Sequence, residues 1–303
     1  MINPTLNRKC INLRDNIKTT KFVTNLNLKV INIVNTQIHT KMKKPFIYLS
    51  VILIGIITYS FSIKSKKFLP KELKELKAVV HVPSGLYHGQ KMSSFFMFTE
   101  EVSNFDYLEF IYFLTINKRA DDLIIAQVDS SLWNNVKANG NEFYAKKYHK
   151  IHDYPVVNIS KQAAELYCEW LSEVWNSQQD KYEVEFRLPT EKEWEYAALG
   201  GKEPKNRDYP WDGKYCKNSK GEFLAQHKAF GLKFGPAKTH SFLPNEFGLY
   251  NMSGNVSEMI QDKDITKGGA WNNTEKELKI ISASKIEKSP FVGFRPILIL
   301  KEK

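Results

Sequence analysis

The sequence has little cysteine: three residues in 303, at positions 10, 168 and 216, and none after Cys216. So few thiols exclude a disulfide-stapled scaffold. They also exclude any site built from paired cysteines in the last third of the chain. There is no P-loop, no Gly-x-Gly-x-x-Gly turn and no Ser-x-x-Lys, which removes the common phosphate-cradling and serine-nucleophile readings. Internal repeats and low-complexity tracts are absent too. Acid is scarce in one region. Up to Ile63 nine Lys/Arg accompany a single acid, Asp15, for a charge of +8, whereas the rest carries only +3 of the total +11. A nearly balanced folded part removes the main argument for nucleic-acid binding.

Residues 45–63 lack charge altogether. Their 19 positions are close to the roughly 20 a helix needs to cross a bilayer. Lys43 and Lys44 precede the run, Lys64, Lys66 and Lys67 follow it, and the larger positive excess lies upstream. That asymmetry predicts a cytoplasmic N-terminus and an extracytoplasmic remainder. Residues 1–44 are therefore read as a basic cytoplasmic arm. An over-called start is its alternative, because Met42-Lys-Lys-Pro45 has the form of a signal-sequence opening. Residues 45–63 are read as a transmembrane or signal-anchor helix, with cleavage near Ser60-Phe-Ser62 and export as the alternative. A charged tether spans 64–78 and the folded domain 79–303. The expected location is a bacterial cell membrane, single-pass, with the C-terminal domain periplasmic. No cysteine lies directly after the apolar run, where a lipid-modified N-terminal cysteine would stand, so that form of anchoring is not expected.

Beyond residue 79 the content supports a core: over the whole chain 42% of residues are hydrophobic and 13% aromatic. Alternation predicts strands at 78–83, 93–98 and, closing the chain, 292–300. A helix over 104–117 is capped by Ser103, with Asp106 at its third position. A second, over 161–176, starts at Ser160 and buries Ala164, Tyr167, Cys168, Leu171 and Trp175. A third, over 191–199, carries a Thr190/Glu193 capping box and ends at Gly200-Gly201. Residues 121–150 read as irregular, and 202–274 hold no long periodic element. Such a stretch inside a compact domain indicates a functional or metal-pinned surface. Cys168 reads as a buried thiol, with a Cys168–Cys216 disulfide left open. His149 and His152 read as a solvated loop rather than a metal site. Arg295 and Glu195 read as structural ion-pairing or hydrogen-bonding groups. Trp194, Trp211 and Trp271 read as core.

Seven blocks occur in a fixed order. They are Phe98-Thr-Glu-Glu-Val-Ser-Asn104; Tyr154-Pro-Val-Val-Asn158 with Tyr167-Cys-Glu-Trp-Leu171; Arg187-Leu-Pro-Thr-Glu-Lys-Glu-Trp-Glu-Tyr-Ala-Ala198; Tyr209-Pro-Trp211; Asn245-Glu-Phe-Gly-Leu-Tyr-Asn-Met-Ser-Gly-Asn-Val256; Lys267-Gly-Gly-Ala-Trp271; and Gly293-Phe-Arg295. The series resembles the formylglycine-generating-enzyme (sulfatase-modifying factor) domain family over residues 80–300. The resemblance implies an α+β, variant C-type-lectin-like fold, loop-rich and often pinned by calcium. It also implies several roles. Some members oxidise a substrate cysteine with copper, and others are oxidative enzymes of other pathways. Still others are non-catalytic components of gliding and secretion assemblies in Bacteroidetes-type bacteria, whose Lys-Gly-Gly-Ala-Trp wording is the nearest.

In the copper-using members two cysteines, five residues apart, follow the Gly-Gly segment. Those positions fall at Asn273 and Leu278 here, so no copper is expected and no catalytic residue is assigned. Calcium is expected instead. The family's Asn-x-x-Gly-x-small-x-Glu pattern places ligands at Asn251, Gly254, Val256 and Glu258, and hard oxygen donors on a Gly-punctuated loop suit Ca²⁺. On that reading Glu258→Ala lowers the thermal midpoint and removes its dependence on calcium. A second family calcium site falls near Ala225-Gln-His-Lys228, where Gln226 replaces the expected Asn, so it is not expected here. The sequence therefore points to a membrane-anchored extracytoplasmic binding module with a protein or glycan partner in the cell envelope. The alternative is an oxidoreductase working on a protein cysteine or small thiol through an unrecognised metal site.

Overall fold

The computed structural model describes residues 79–136, 148, 151–177, 182–202, 207–229 and 231–302. The basic arm, the apolar run, the tether and His149 lie outside the described residues. Among the described residues no helix is long and apolar enough to cross a membrane.

The elements run β1 (Val79–Val82), β2 (Gly85–Tyr87), β3 (Gln90–Met92), β4 (Phe95–Phe98), α1 (Asn104–Ile116), α2 (Ala120–Ile125), α3 (Lys161–Ser177), β5 (Tyr182–Arg187) and α4 (Glu191–Ala198). They continue with β6 (Ser257–Met259), β7 (Ile265–Lys267), β8 (Ala283–Lys285), β9 (Val292–Gly293) and β10 (Ile297–Glu302). Short 3₁₀ turns lie at Ser130–Asn135 and Glu275–Leu278. The mixture of helix and sheet agrees with the α+β expectation.

An antiparallel sheet in the order β1-β4-β10-β5 divides two cores. Side chains alternate across a strand. Phe96, Phe186 and Leu298 therefore fall on one face, packed with Tyr107 and Phe110 of α1 and Tyr167 of α3. Phe95, Met97 and Ile297 fall on the other, packed with Trp194 of α4 and with Leu249 and Met252. The outer strand β5 would expose backbone groups, a liability at a sheet edge. α3 covers them. Ser172 Oγ accepts from Phe186 N at 2.8 Å, and the Asn176 amide exchanges two bonds with Val184, at 2.8 and 2.9 Å.

The caps form as the sequence predicts. Asp106 accepts from Ser103 N at 3.0 Å while Ser103 Oγ accepts from Asp106 N at 3.2 Å. At α4, Glu193 accepts from Thr190 N at 2.8 Å and also takes the Arg187 guanidinium at 2.7 and 2.8 Å. Thr190→Ala should cost about 1 kcal/mol, the usual worth of an N-cap, read as a lower urea midpoint at unchanged slope.

Two expectations need correction. Residues 121–150 are not uniformly irregular: α2 and the 3₁₀ turn at Ser130–Asn135 lie there, the latter opened by the Asp129 carboxylate accepting from Ser131 N at 3.1 Å. Elements this short carry too few turns for periodicity to register. Nor is 292–300 one strand. β9 pairs parallel with β6 in a second sheet of order β8-β7-β6-β9, and β10 joins the first sheet. The break falls at Arg295-Pro296, where a buried guanidinium turns inward and proline offers no N–H.

Among the described residues both cysteines, Cys168 and Cys216, are free and buried. Cys168 belongs to the α1/α3 core and Cys216 to a separate cluster with Tyr209, Ala225 and Leu278. The disulfide left open by the sequence is not formed.

Candidate metal centre

The loop 245–258 is rigid for local reasons. The Asn245 carboxamide oxygen accepts from Phe247 N and Leu249 N at 3.0 and 3.1 Å, and its nitrogen donates to Ala197 O at 2.8 Å, which ties the loop to the end of α4. Asn251 and Asn255 adopt positive φ, 52° and 61°, a region asparagine tolerates better than most residues. Gly254, at φ 80°, is obligatory: a Cβ there would sit 2.4 Å from the Gln226 carbonyl. The chain then enters β6, which delivers Glu258 to the interior.

Five charged or amide side chains meet there: Glu258, Arg295, Glu101, Asn251 and Asn255. Glu258 is 1% exposed and Arg295 fully buried. Arg295 Nη2 donates to Glu258 Oε1 at 2.7 Å, and Nε contacts both carboxylate oxygens at 3.0 and 3.1 Å. Trp194 Nε1 donates to Glu258 Oε2 at 2.7 Å. The remaining guanidinium bonds go to Phe98 O at 3.0 Å and Tyr250 O at 2.7 Å. Glu101, also buried, accepts from Asn251 Nδ2 at 3.1 Å and from Asn255 Nδ2 at 2.9 Å. Burial raises the Glu101 carboxyl to about 8, against the pull of Arg295 and with the push of Glu258. Asn251 Nδ2 also donates to Thr239 O at 2.7 Å, but Asn251 Oδ1 is buried with no hydrogen-bond partner among the described residues.

Two of the four sequence-predicted ligands, Asn251 and Glu258, thus lie in one buried oxygen-rich cluster, and Gly254 and Val256 sit on the loop between them. The donor set fits a hard cation on two counts. An acceptor oxygen is stranded, and two carboxylates face a single guanidinium, leaving one negative charge unbalanced when both ionise. Against this, both Glu258 oxygens already carry donors. Sequence reasoning missed Glu101 as a member of the cluster, although its block, Phe98-Thr-Glu-Glu-Val-Ser-Asn104, holds two acids beside an apolar strand.

A second buried pair lies next to the first. Lys267, directly opposite Glu258 on the β6–β7 ladder, donates to Glu195 Oε1 at 2.6 Å, and Tyr87 hydroxyl donates to the other Glu195 oxygen. Arg295 and Glu195 are therefore ion-paired, as expected, but each with a different partner. Trp194 and Trp271 are core residues, and Trp211 is half-buried.

The copper-type positions are filled structurally. Asn273 Oδ1 accepts from Ala270 N at 2.7 Å, and Leu278 is fully buried against Tyr209, Cys216 and Ala225. At the doubtful second calcium position the Gln226 amide is spent on Lys233 O and Gly235 O, at 2.7 and 2.6 Å.

A family model described as the sulfatase-modifying factor enzyme 1-like domain matches residues 67–299. Inactive C-alpha-formylglycine-generating enzyme 2 of Bos taurus is 34% identical over 135 residues, 40% of this chain and 40% of that protein. Formylglycine-generating enzyme of Bos taurus is 30% identical over 199 residues, 56% of this chain and 49% of that protein. The matches span less than half the length of these curated relatives. The crystal structure of CarF superposes with a TM-score of 0.51 at 18% identity, covering 72% of this chain and 97% of that one, a likeness of fold alone.

Proposed function

The chain belongs to the sulfatase-modifying factor enzyme 1-like domain family, and from that premise we propose that it is a membrane-anchored, extracytoplasmic binding module that does not carry out copper-dependent cysteine oxidation. The observation that carries this reading is the filling of the two thiolate positions. Asn273 closes a turn and Leu278 completes a core, so neither offers the soft ligand Cu(I) requires. One relative with an equivalent match is named as inactive. Placement in the cell envelope rests on the uncharged 19-residue run and its basic upstream flank.

Calcium has a structural role in this proposal. Asn251, Gly254, Val256 and Glu258 hold it, Asn251 through its stranded oxygen, and its charge offsets the second carboxylate of the cluster, Glu101. The partner is a protein, or alternatively a glycan, of the envelope. The outward face of α1 supports a protein: Leu108, Tyr112 and Ile116 are exposed there while Tyr107, Phe110 and Leu114 are buried.

The test uses the full-length chain, loaded with Cu(I) and given a cysteine-containing peptide. No aldehyde should form by mass spectrometry; stoichiometric conversion overturns the non-catalytic reading. Membranes washed with carbonate should retain the protein. For calcium, the wild-type melting temperature should rise on calcium addition and fall with a chelator. Asn251→Gly, which keeps the positive φ without strain, should abolish that rise. An equal rise in both proteins rules out Asn251 as a ligand.

A further inference from the structure

Cys216, His227 and Glu275 converge although nearly 60 residues separate the first from the last. One ligand-capable atom of each lies within 4.8 Å of the other two. A hairpin brings the first two together. Lys217 and Phe223 form a bridge, Gly221 N donates to Asn218 O at 3.0 Å across the turn, and Leu224 N donates to Cys216 O at 2.9 Å. Lys228 N then donates to Asn273 O at 2.9 Å and so ties the hairpin to the 3₁₀ turn that carries Glu275.

The imidazole is set up as a ligand. His227 is 2% exposed, and its Nδ1 lies 3.0 Å from Ala225 O. A carbonyl only accepts, so Nδ1 carries a proton, and in the neutral imidazole the lone pair is on Nε2. Nε2 faces a Glu275 carboxylate oxygen at 3.8 Å. Cys216 is fully buried, whereas the Glu275 side chain is 45% exposed. Tyr209 packs against Cys216, and its hydroxyl donates to Glu275 O at 3.0 Å.

The geometry points to a zinc site: Cys216 Sγ, His227 Nε2 and one Glu275 carboxylate oxygen bind one Zn²⁺, with solvent on the Glu275 side supplying the fourth position. Tetrahedral zinc takes sulfur at about 2.3 Å and nitrogen or oxygen at about 2.0–2.2 Å, which places ligand atoms roughly 3.3–3.7 Å apart. The cluster needs a contraction of at most about 1–1.5 Å, and the Glu275 side chain, 45% exposed, has room to move. One thiolate, one imidazole and one carboxylate form a borderline set. It is too hard for Cu(I) and too rich in nitrogen and sulfur for Ca²⁺. On binding, the thiol proton passes to solvent. A coordinating thiol gives up its proton when the cation binds. The ion would clamp the hairpin 216–227 to the turn at Glu275–Leu278. No spacing rule announces this site, because its three ligands come from three separate segments.

The test is titration of the full-length chain, in detergent and in the presence of calcium, with Zn²⁺ and with Co²⁺ as a spectroscopic surrogate. One equivalent should bind, and the cobalt form should show sulfur-to-metal charge transfer. Loss of an outer-shell partner typically costs about 10–100-fold in affinity, so Cys216→Ser and His227→Gln should each cost about 100-fold or more. Glu275→Ala, at an exposed position that leaves folding intact, should cost at least about tenfold. Cys168→Ala should change nothing. Absence of stoichiometric binding overturns the site. So does a cobalt form without a sulfur band, affinity unchanged by Cys216→Ser or Glu275→Ala, or binding lost with Cys168→Ala.

Discussion

Arg295→Met should lose about 3–5 kcal/mol of stability, the usual cost of removing one member of a buried ion pair. For a domain of this size that corresponds to a fall of about 6–20 °C in Tm. The reason is the burden on a single guanidinium. It contacts both oxygens of Glu258, satisfies Phe98 O and Tyr250 O, and opposes the charge of Glu101. Methionine fills the space but leaves the buried Glu258 carboxylate uncompensated beside the buried Glu101. The double variant Arg295→Met/Glu258→Gln should therefore recover about half of the loss, since the stranded charge goes with the second substitution. Urea unfolding of the two proteins decides it. A single variant within about 1 kcal/mol of wild type, or a double variant no better than the single, contradicts the account.

The same geometry changes how calcium has to be tested. Glu258 is both a family-type ligand and the partner of Arg295 and Trp194. Glu258→Ala must lower the midpoint whether or not calcium binds, because it strands the guanidinium. Only the calcium dependence carries information there. Asn251 is the cleaner position: its Oδ1 has no partner among the described residues, and its removal breaks no ion pair.

The fold was legible where local chemistry decides structure. Ser103 with Asp106, and Thr190 with Glu193, announced two helix starts because capping is a four-residue matter. The ordered blocks announced the family. What stayed hidden is long-range. Nothing near Glu258 says that its partner stands 37 residues later, nor that Lys267 reaches back 72 residues to Glu195. Sheet membership was equally opaque. Residues 292–300 alternate like one strand, yet the Arg295-Pro296 break sends its halves to different sheets. Cys216, His227 and Glu275 belong to the same class, brought together by a hairpin and a tie between loops rather than by any sequence spacing.

Lys267→Met should also cost about 3–5 kcal/mol, and it does so through a different partner. The ammonium is fully buried, 2.6 Å from Glu195, whose other oxygen takes the Tyr87 hydroxyl. Lys267 cannot move aside, because the chain that follows it is fixed: a Cβ at Gly268 would lie 3.1 Å from Trp194, and one at Gly269 would lie 2.7 Å from Glu277 O. Lys267→Met/Glu195→Gln should again recover much of the loss. The two pairs are not independent, since Lys267 and Glu258 face each other across the β6–β7 ladder and Trp194 and Glu195 are neighbours on α4. Groups in one network couple rather than add. Removing both cations, in Lys267→Met/Arg295→Met, leaves Glu101, Glu195 and Glu258 buried without a buried counter-charge from either pair. A combined cost of roughly 6–10 kcal/mol or more would consume the 5–15 kcal/mol of a typical domain. That variant should lose its near-ultraviolet circular dichroism at neutral pH in the absence of calcium. A native spectrum would show that the two pairs hold the fold together far less than their geometry implies.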